Sequence, residues 1–172
     1  VFLDAFVKLS VPTILIVKAH QLSHILQDMI GRQSEISVVR QAFFNTLQGE
    51  SLTIYREEDA DDMIYLIEGK DNQVYANKQE LLLDVSNILV GACLKGVAAQ
   101  FKMDINFSPP TLFCSTTPIE KVFHNYPFAW EDALLIKVVL RLENRTTTWY
   151  LLFFVPSDSI ELMCREIDRL LE

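Results

Sequence analysis

Most of the devices that give a chain an obvious chemistry are missing here. The 172 residues include 5 glycines, and none sits in a phosphate-cradling loop: LVGACLKG lacks the GxxxxGK spacing. The 3 cysteines, Cys93, Cys114 and Cys164, are widely separated. There is no CxxC pair, and an odd count does not build a disulfide framework, so buried, reduced thiols are the default for a cytoplasmic chain. No apolar run reaches the roughly 18 residues of a membrane span; the longest, Trp149 to Pro156, is strand-length. VFLDAFVKLS lacks the basic region and apolar block of a signal peptide. Basic charge is also short, 15 Lys and Arg against 23 Asp and Glu, for a net charge of −8. A field of that sign repels phosphate backbones and anionic lipid, which argues against nucleic acid and membrane as partners.

Catalytic constellations are equally scarce. His20 and His24 share a helix face but have no third ligand, so no metal site is expected. His124, near Tyr126 and Trp130, reads as a packing residue. Ser86 and Cys93 have no histidine nearby in sequence to activate them. The acidic run Glu57, Glu58, Asp59, Asp61 and Asp62 lacks the alternation and glycine of a calcium loop and reads as a solvated helix start. Trp149, Tyr150, Phe153 and Phe154 lie in an apolar strand and read as core. Asn144-Arg145-Thr146 reads as a hairpin turn.

What the chain does have is apolar bulk and a repeated order. Half its residues are hydrophobic, enough for one domain with a real core. Strands are expected at Val11–Ala19 and Lys102–Phe107, the latter ending at Pro109-Pro110. Hairpins are expected at Ile36–Leu47/Ser51–Arg56 and Asp132–Glu143/Thr146–Val155. Helices are expected at His20–Ile30, Asp59–Glu68, Gln79–Phe101, Pro118–Phe123 and Ser157–Leu171. Residues 11–69 and 102–171 both run strand, short helix, hairpin, helix. The fold class is therefore α+β: a tandem duplication with pseudo-repeat halves at about 1–72 and 79–172, forming a mixed or antiparallel sheet with long helices packed on it. Val1–Lys8 stands where the second half has its long helix, and reads as the last turns of an equivalent helix lying mostly upstream.

That long helix, Gln79–Phe101, carries the clearest candidate site. At about 100° per residue, Glu80, Asp84, Asn87, Gly91 and Lys95 form one polar stripe on an otherwise apolar helix. Such a stripe is either a solvated edge or a contact surface. Gly91 and Gly96 each cost about 1 kcal/mol against Ala in a helix interior, which makes sense if another surface approaches closely.

Glu80-x3-Asp84-x2-Asn87, followed after twenty-one residues by Pro109, resembles the signature of the CheC/CheX family of chemotaxis phosphatases: an acidic or serine residue, x3-Glu-x2-Asn, then twenty-one residues and proline. LLLDVSNILVGACLKGVAAQFKMDINFSPP is similar to the family's second active-site helix and the strand after it. The resemblance extends to the duplicated architecture and spans nearly the whole chain as a single CheC-like domain. One position departs from it: the family's glutamate is Asp84, one methylene shorter.

The resemblance implies a phosphatase acting on the aspartyl phosphate of a CheY-like response regulator. Asn87 would orient a water for in-line attack, Asp84 would pair with the receiver's lysine, Glu80 and Gly91 would rim the site, and Pro109 would be structural. The chain would need no cofactor of its own, with Mg2+ held by the receiver. A CheD-like deamidase and a second copy of the chain are further partners the resemblance allows. Because the same fold serves in flagellar-switch and adaptor proteins, the alternative is a non-catalytic CheC-like module that binds phosphorylated receivers or dimerises within a larger signalling regulator.

Overall fold

The computed structural model describes residues 7–9, 13–60, 77–123, 131–142, 145–155 and 157–171. The longest strands are paired as hairpins, β3 (Glu35–Asn45) with β4 (Gly49–Arg56) and β7 (Asp132–Leu142) with β8 (Arg145–Phe154). The hairpins join back to back through β4 and β8, with Leu52 opposite Leu152. Each outer strand is then completed by two short strands from the other end of the chain. β1 (Val7–Leu9) and β2 (Thr13–Lys18) pair with β7, while β5 (Ile105–Phe107) and β6 (Thr111–Pro118) pair with β3. Among the described residues the resulting sheet has eight strands in the order β1-β7-β8-β4-β3-β5, with β2 beside β7 and β6 beside β3, and every pairing is antiparallel. The fold is α+β, as expected, with the sheet antiparallel rather than mixed.

Both faces of the sheet are covered. α2 (Lys78–Phe101) lies on one face, over a core that includes Val39, Phe43, Tyr55, Leu81, Val85, Trp149, Leu151 and Phe153; Ile160 of α4 (Ser157–Leu171) packs against the same cluster. α1 (Leu22–Ile30), which follows a 3-10 turn at Ala19–Gln21, and the single turn α3 (Ile119–Val122) cover the other face over Ile36, Val38, Leu52, Ile54, Tyr150, Leu152 and Phe154. β8 alternates between the two cores residue by residue from Trp149 to Phe154. A strand buried on both faces needs an unbroken apolar sequence, which is why WYLLFF shows no period-two pattern.

Several boundaries differ from the sequence reading. Val7 and Lys8 are not the tail of a helix; they belong to β1, where Val7 faces Leu142 and Lys8 faces Arg141 across the ladder. β5 covers only Ile105–Phe107, because Lys102 adopts the left-handed conformation (φ 51°) and caps α2 by bonding its N–H to the Ala98 carbonyl. Beyond Pro109-Pro110 the chain re-enters the sheet as β6, a strand the sequence reading lacked, and the short helix begins at Ile119. Residues 57–60 are helical; the rest of the Asp59–Glu68 helix lies outside the described residues, as do His124, Asn144 and Val1 to Phe6.

Candidate functional site

α2 begins where its sequence provides caps. The Asn77 side chain accepts a hydrogen bond from the Glu80 N–H at 2.8 Å, satisfying one of the free donors of the first turn. Lys78 Nζ lies 2.6 Å from Glu57 Oε2 and ties the helix start to the end of β4. Glu57 is further held by the Ser37 hydroxyl. Burial alone would raise the Glu57 pKa, but hydrogen bonds from Lys78 and Ser37 and the positive charge of Lys78 outweigh it, and the carboxyl is held below its ordinary value.

One face of α2 is seated on the sheet: Leu81, Leu82, Val85, Ser86, Val90, Leu94 and Ala98 are buried. The seat is not wholly apolar. The hydroxyl of Tyr55, itself fully buried, donates a short hydrogen bond to Ser86 Oγ, and its oxygen lies 3.1 Å from the Leu82 carbonyl. Ser86 also donates to the Leu82 carbonyl at 2.7 Å. Burial drives the Tyr55 pKa upward, with the Ser86 bond opposing it only in part, so the phenol stays protonated. Ser86 is thus a helix anchor.

Asp84 and Asn87, three residues apart and therefore neighbours on one helix face, are both exposed. Glu80 and Lys95 are exposed on the same stripe, and Gly91 is half-buried. The exposed surface is wider than the expected polar stripe, because it also takes in Ala92 and Ile88, the latter 47% exposed. An apolar composition all round therefore does not mean burial all round in α2. Nor does the chain itself crowd the two glycines. Apart from the chain neighbours and the backbone of its own helix, a Cβ built on Gly91 or Gly96 meets no atom of the described residues within 4 Å.

The structure brings Asn87 and the Pro109 segment together through a residue absent from the sequence reading. Gln41, on β3 and 2% exposed, donates from Nε2 to Asn87 Oδ1 at 2.8 Å and to the Ser108 carbonyl at 2.9 Å. Ser108 is fixed independently: its N–H donates to the Ala42 carbonyl at 3.0 Å, and its Oγ accepts from the Ala42 N–H at 3.0 Å. Pro109 follows directly and is exposed. Position 109 thus marks where the chain turns between β5 and β6 beside the helix. In sequence, Gln41 is one polar residue among SVVRQAFF, and no local pattern distinguishes it from a solvent-facing one.

The remaining candidates take structural roles. His24 lies 3.3 Å from Asp28 on an exposed turn of α1. Among the described residues no group of three His, Cys, Asp or Glu is arranged to hold a metal ion. Cys93 and Cys114 are free thiols whose pKa burial pushes up. An open cleft of about 950 Å³ is lined by Arg32, Ser34, Arg56, Glu57 and Pro118, among others. Four of its charged residues are engaged inside the chain, Arg56 with Glu58 and also with Asp59, Arg32 with Asp28 and Glu57 with Lys78. No helix among the described residues is long and apolar enough to cross a membrane.

No protein-family model and no curated protein matches this sequence. Solved structures do match. The chain is similar to Thermotoga maritima FliY (TM-score 0.72, 15% identity, covering 98% of this chain and 85% of that one). It is also similar to the FliM middle domain of Vibrio alginolyticus (TM-score 0.65, 9% identity, 96% and 88% covered) and to that of H. pylori (TM-score 0.59, 12% identity, 94% and 83% covered). At these identities the likeness is one of fold: the chain shares the α+β fold of FliY and of the FliM middle domain.

Proposed function

We propose that the exposed face of α2 docks on a phosphorylated CheY-like receiver and that the protein hydrolyses its aspartyl phosphate. The observation that carries this reading is the arrangement at Asn87. A solvent-facing amide, one turn from a carboxylate, is held by a hydrogen bond from a buried glutamine of the strand beneath it. Oδ1 has two lone pairs. Gln41 occupies one, and the other can accept an O–H from a water aligned with the phosphorus. The Nδ2 group remains to donate to a phosphoryl oxygen. Asp84 supplies the negative charge for the receiver's lysine, and Mg2+ belongs to the receiver. Phosphoryl transfer through a loose transition state asks mainly for such positioning, so no nucleophile is required of this chain. Exposed Ile88 gives the docking face an apolar contact beside the polar pair.

The test uses the full protein and a phosphorylated receiver, with loss of phosphate followed over time. Asn87→Ala is expected to slow the accelerated hydrolysis by about 100-fold while leaving binding to a beryllofluoride-activated receiver intact. Hydrolysis unaffected by Asn87→Ala would remove this half-site from the mechanism. One observation favours a second reading, a binding module without turnover: the acid is Asp84, shorter by roughly one C–C bond than the glutamate of the pattern it resembles. Binding of the activated receiver with no acceleration of phosphate loss would select that reading.

A further inference from the structure

We infer that Gln41 is a positioning residue for Asn87, fixing which end of the Asn87 amide faces a partner. The inference rests on the reading of α2 as a receiver-docking helix and adds a residue to it. Ser108 sets the polarity of both bonds. Its backbone carbonyl can only accept, so the end of the Gln41 amide lying 2.9 Å from it must be the amino group. The same amino group lies 2.8 Å from Asn87. Asn87 must therefore turn its own carbonyl oxygen toward Gln41, leaving its amino group at the opposite end of the planar amide. The orientation of an exposed asparagine is ordinarily free to invert; here a buried donor selects one of the two.

Two further facts separate this role from simple packing. First, the Ser108 turn does not depend on Gln41, since two other bonds to Ala42 already hold it. The contact that Gln41 alone makes is the one to Asn87. Second, Gln41 is a poor residue for stability at its position. Its Oε1 is buried without a partner among the described residues, and an unpaired buried acceptor is destabilising where an apolar group of the same shape would not be. What glutamine supplies there that methionine cannot is the donor.

Gln41→Met tests the inference. Methionine keeps the length and removes both amide ends. The expected result is a fall in maximal dephosphorylation rate of about 10- to 100-fold, with half-saturation by the receiver unchanged and a melting temperature equal to or above that of the parent. In the double variant with Asn87→Ala no further loss is expected, because both changes break one unit. A second readout is independent of activity. In a 15N-labelled sample the Asn87 side-chain amide pair is expected at a dispersed position, moving to the free-amide position in Gln41→Met. Dispersion that collapses supports the role even in a protein that binds receivers without hydrolysing them. An Asn87 signal identical in both proteins overturns it. So does a rate loss that tracks a falling melting temperature, or an unchanged rate where Asn87→Ala is inactive. A parent protein without phosphatase activity instead defeats the hydrolytic function, with the amide signal still deciding Gln41.

Discussion

A single atom decides what position 49 can hold. A Cβ on Gly49 would lie 2.2 Å from the Phe154 carbonyl oxygen and 2.7 Å from the Phe43 ring. The obstacle is backbone of the neighbouring strand and cannot swing aside. Gly49→Ala is therefore expected to destabilise the fold by about 1–3 kcal/mol, measured as a lowered urea midpoint with unchanged slope; an unaltered midpoint would mean that β4 and β8 part more easily than their register implies. Glycine near a hairpin turn is a signal that sequence carries, but Gln48-Gly49 sits at the edge of this turn: the chain turns over residues 46–48, and Gly49 already faces Phe43 as the first residue of β4. Gln41 carries no such signal. Its partner Asn87 lies in the other half of the chain, and a hydrogen bond across halves leaves no trace in local periodicity. Asp84 and Asn87 were legible as a pair because their spacing is that of one helix turn; what holds Asn87 was not.

Among the elements, α2 depends on an ion pair at its first residue. Glu57 has a folded-state pKa below its ordinary value. Its contribution is thus fully present above the ordinary carboxylate range and is lost as pH falls through the folded value. Lys78→Met is expected to lower stability by about 1 kcal/mol at neutral pH. The gap between variant and parent should then close on acidification from about pH 5 toward 3, followed by chemical denaturation at a series of pH values. A gap that persists when Glu57 is protonated would assign the loss to the Lys78 stem instead. Element boundaries were readable where a closing glycine or a long apolar run marked them, as at Gly31 and Trp149–Phe154. They failed where an element is polar or only a few residues long. β6, with Cys114-Ser115-Thr116-Thr117 half-buried or exposed, lacks the alternation that announces a strand and owes its form to pairing with β3. β1 suffered similarly, since three residues give no period to read.

At the scale of the whole molecule, burial is concentrated at the β4–β8 seam. Leu52, Ile54, Leu151 and Leu152 are fully buried, whereas β5 and β6 have no buried residue. Amide exchange is expected to be slowest in β4 and β8, at the free energy of global unfolding, and faster by several orders of magnitude in β5 and β6. Exchange in β6 as slow as in β8 would indicate a sheet of uniform stability. The two hairpins were visible in the sequence, but the exchange of strands between them was not, since nothing local says which hairpin a short strand completes.

That exchange has a consequence for how the protein is made. β1 and β2 leave the ribosome before the other described strands, yet their ladder partner among the described residues is β7, with Thr13 opposite Lys137. β3 likewise waits for β5 and β6. During synthesis the nascent N-terminal hairpin therefore carries unpaired edges until most of the chain has emerged. The order in which the polypeptide appears is not the order in which its sheet can close, and that interval is when the nascent chain most needs protection from its neighbours.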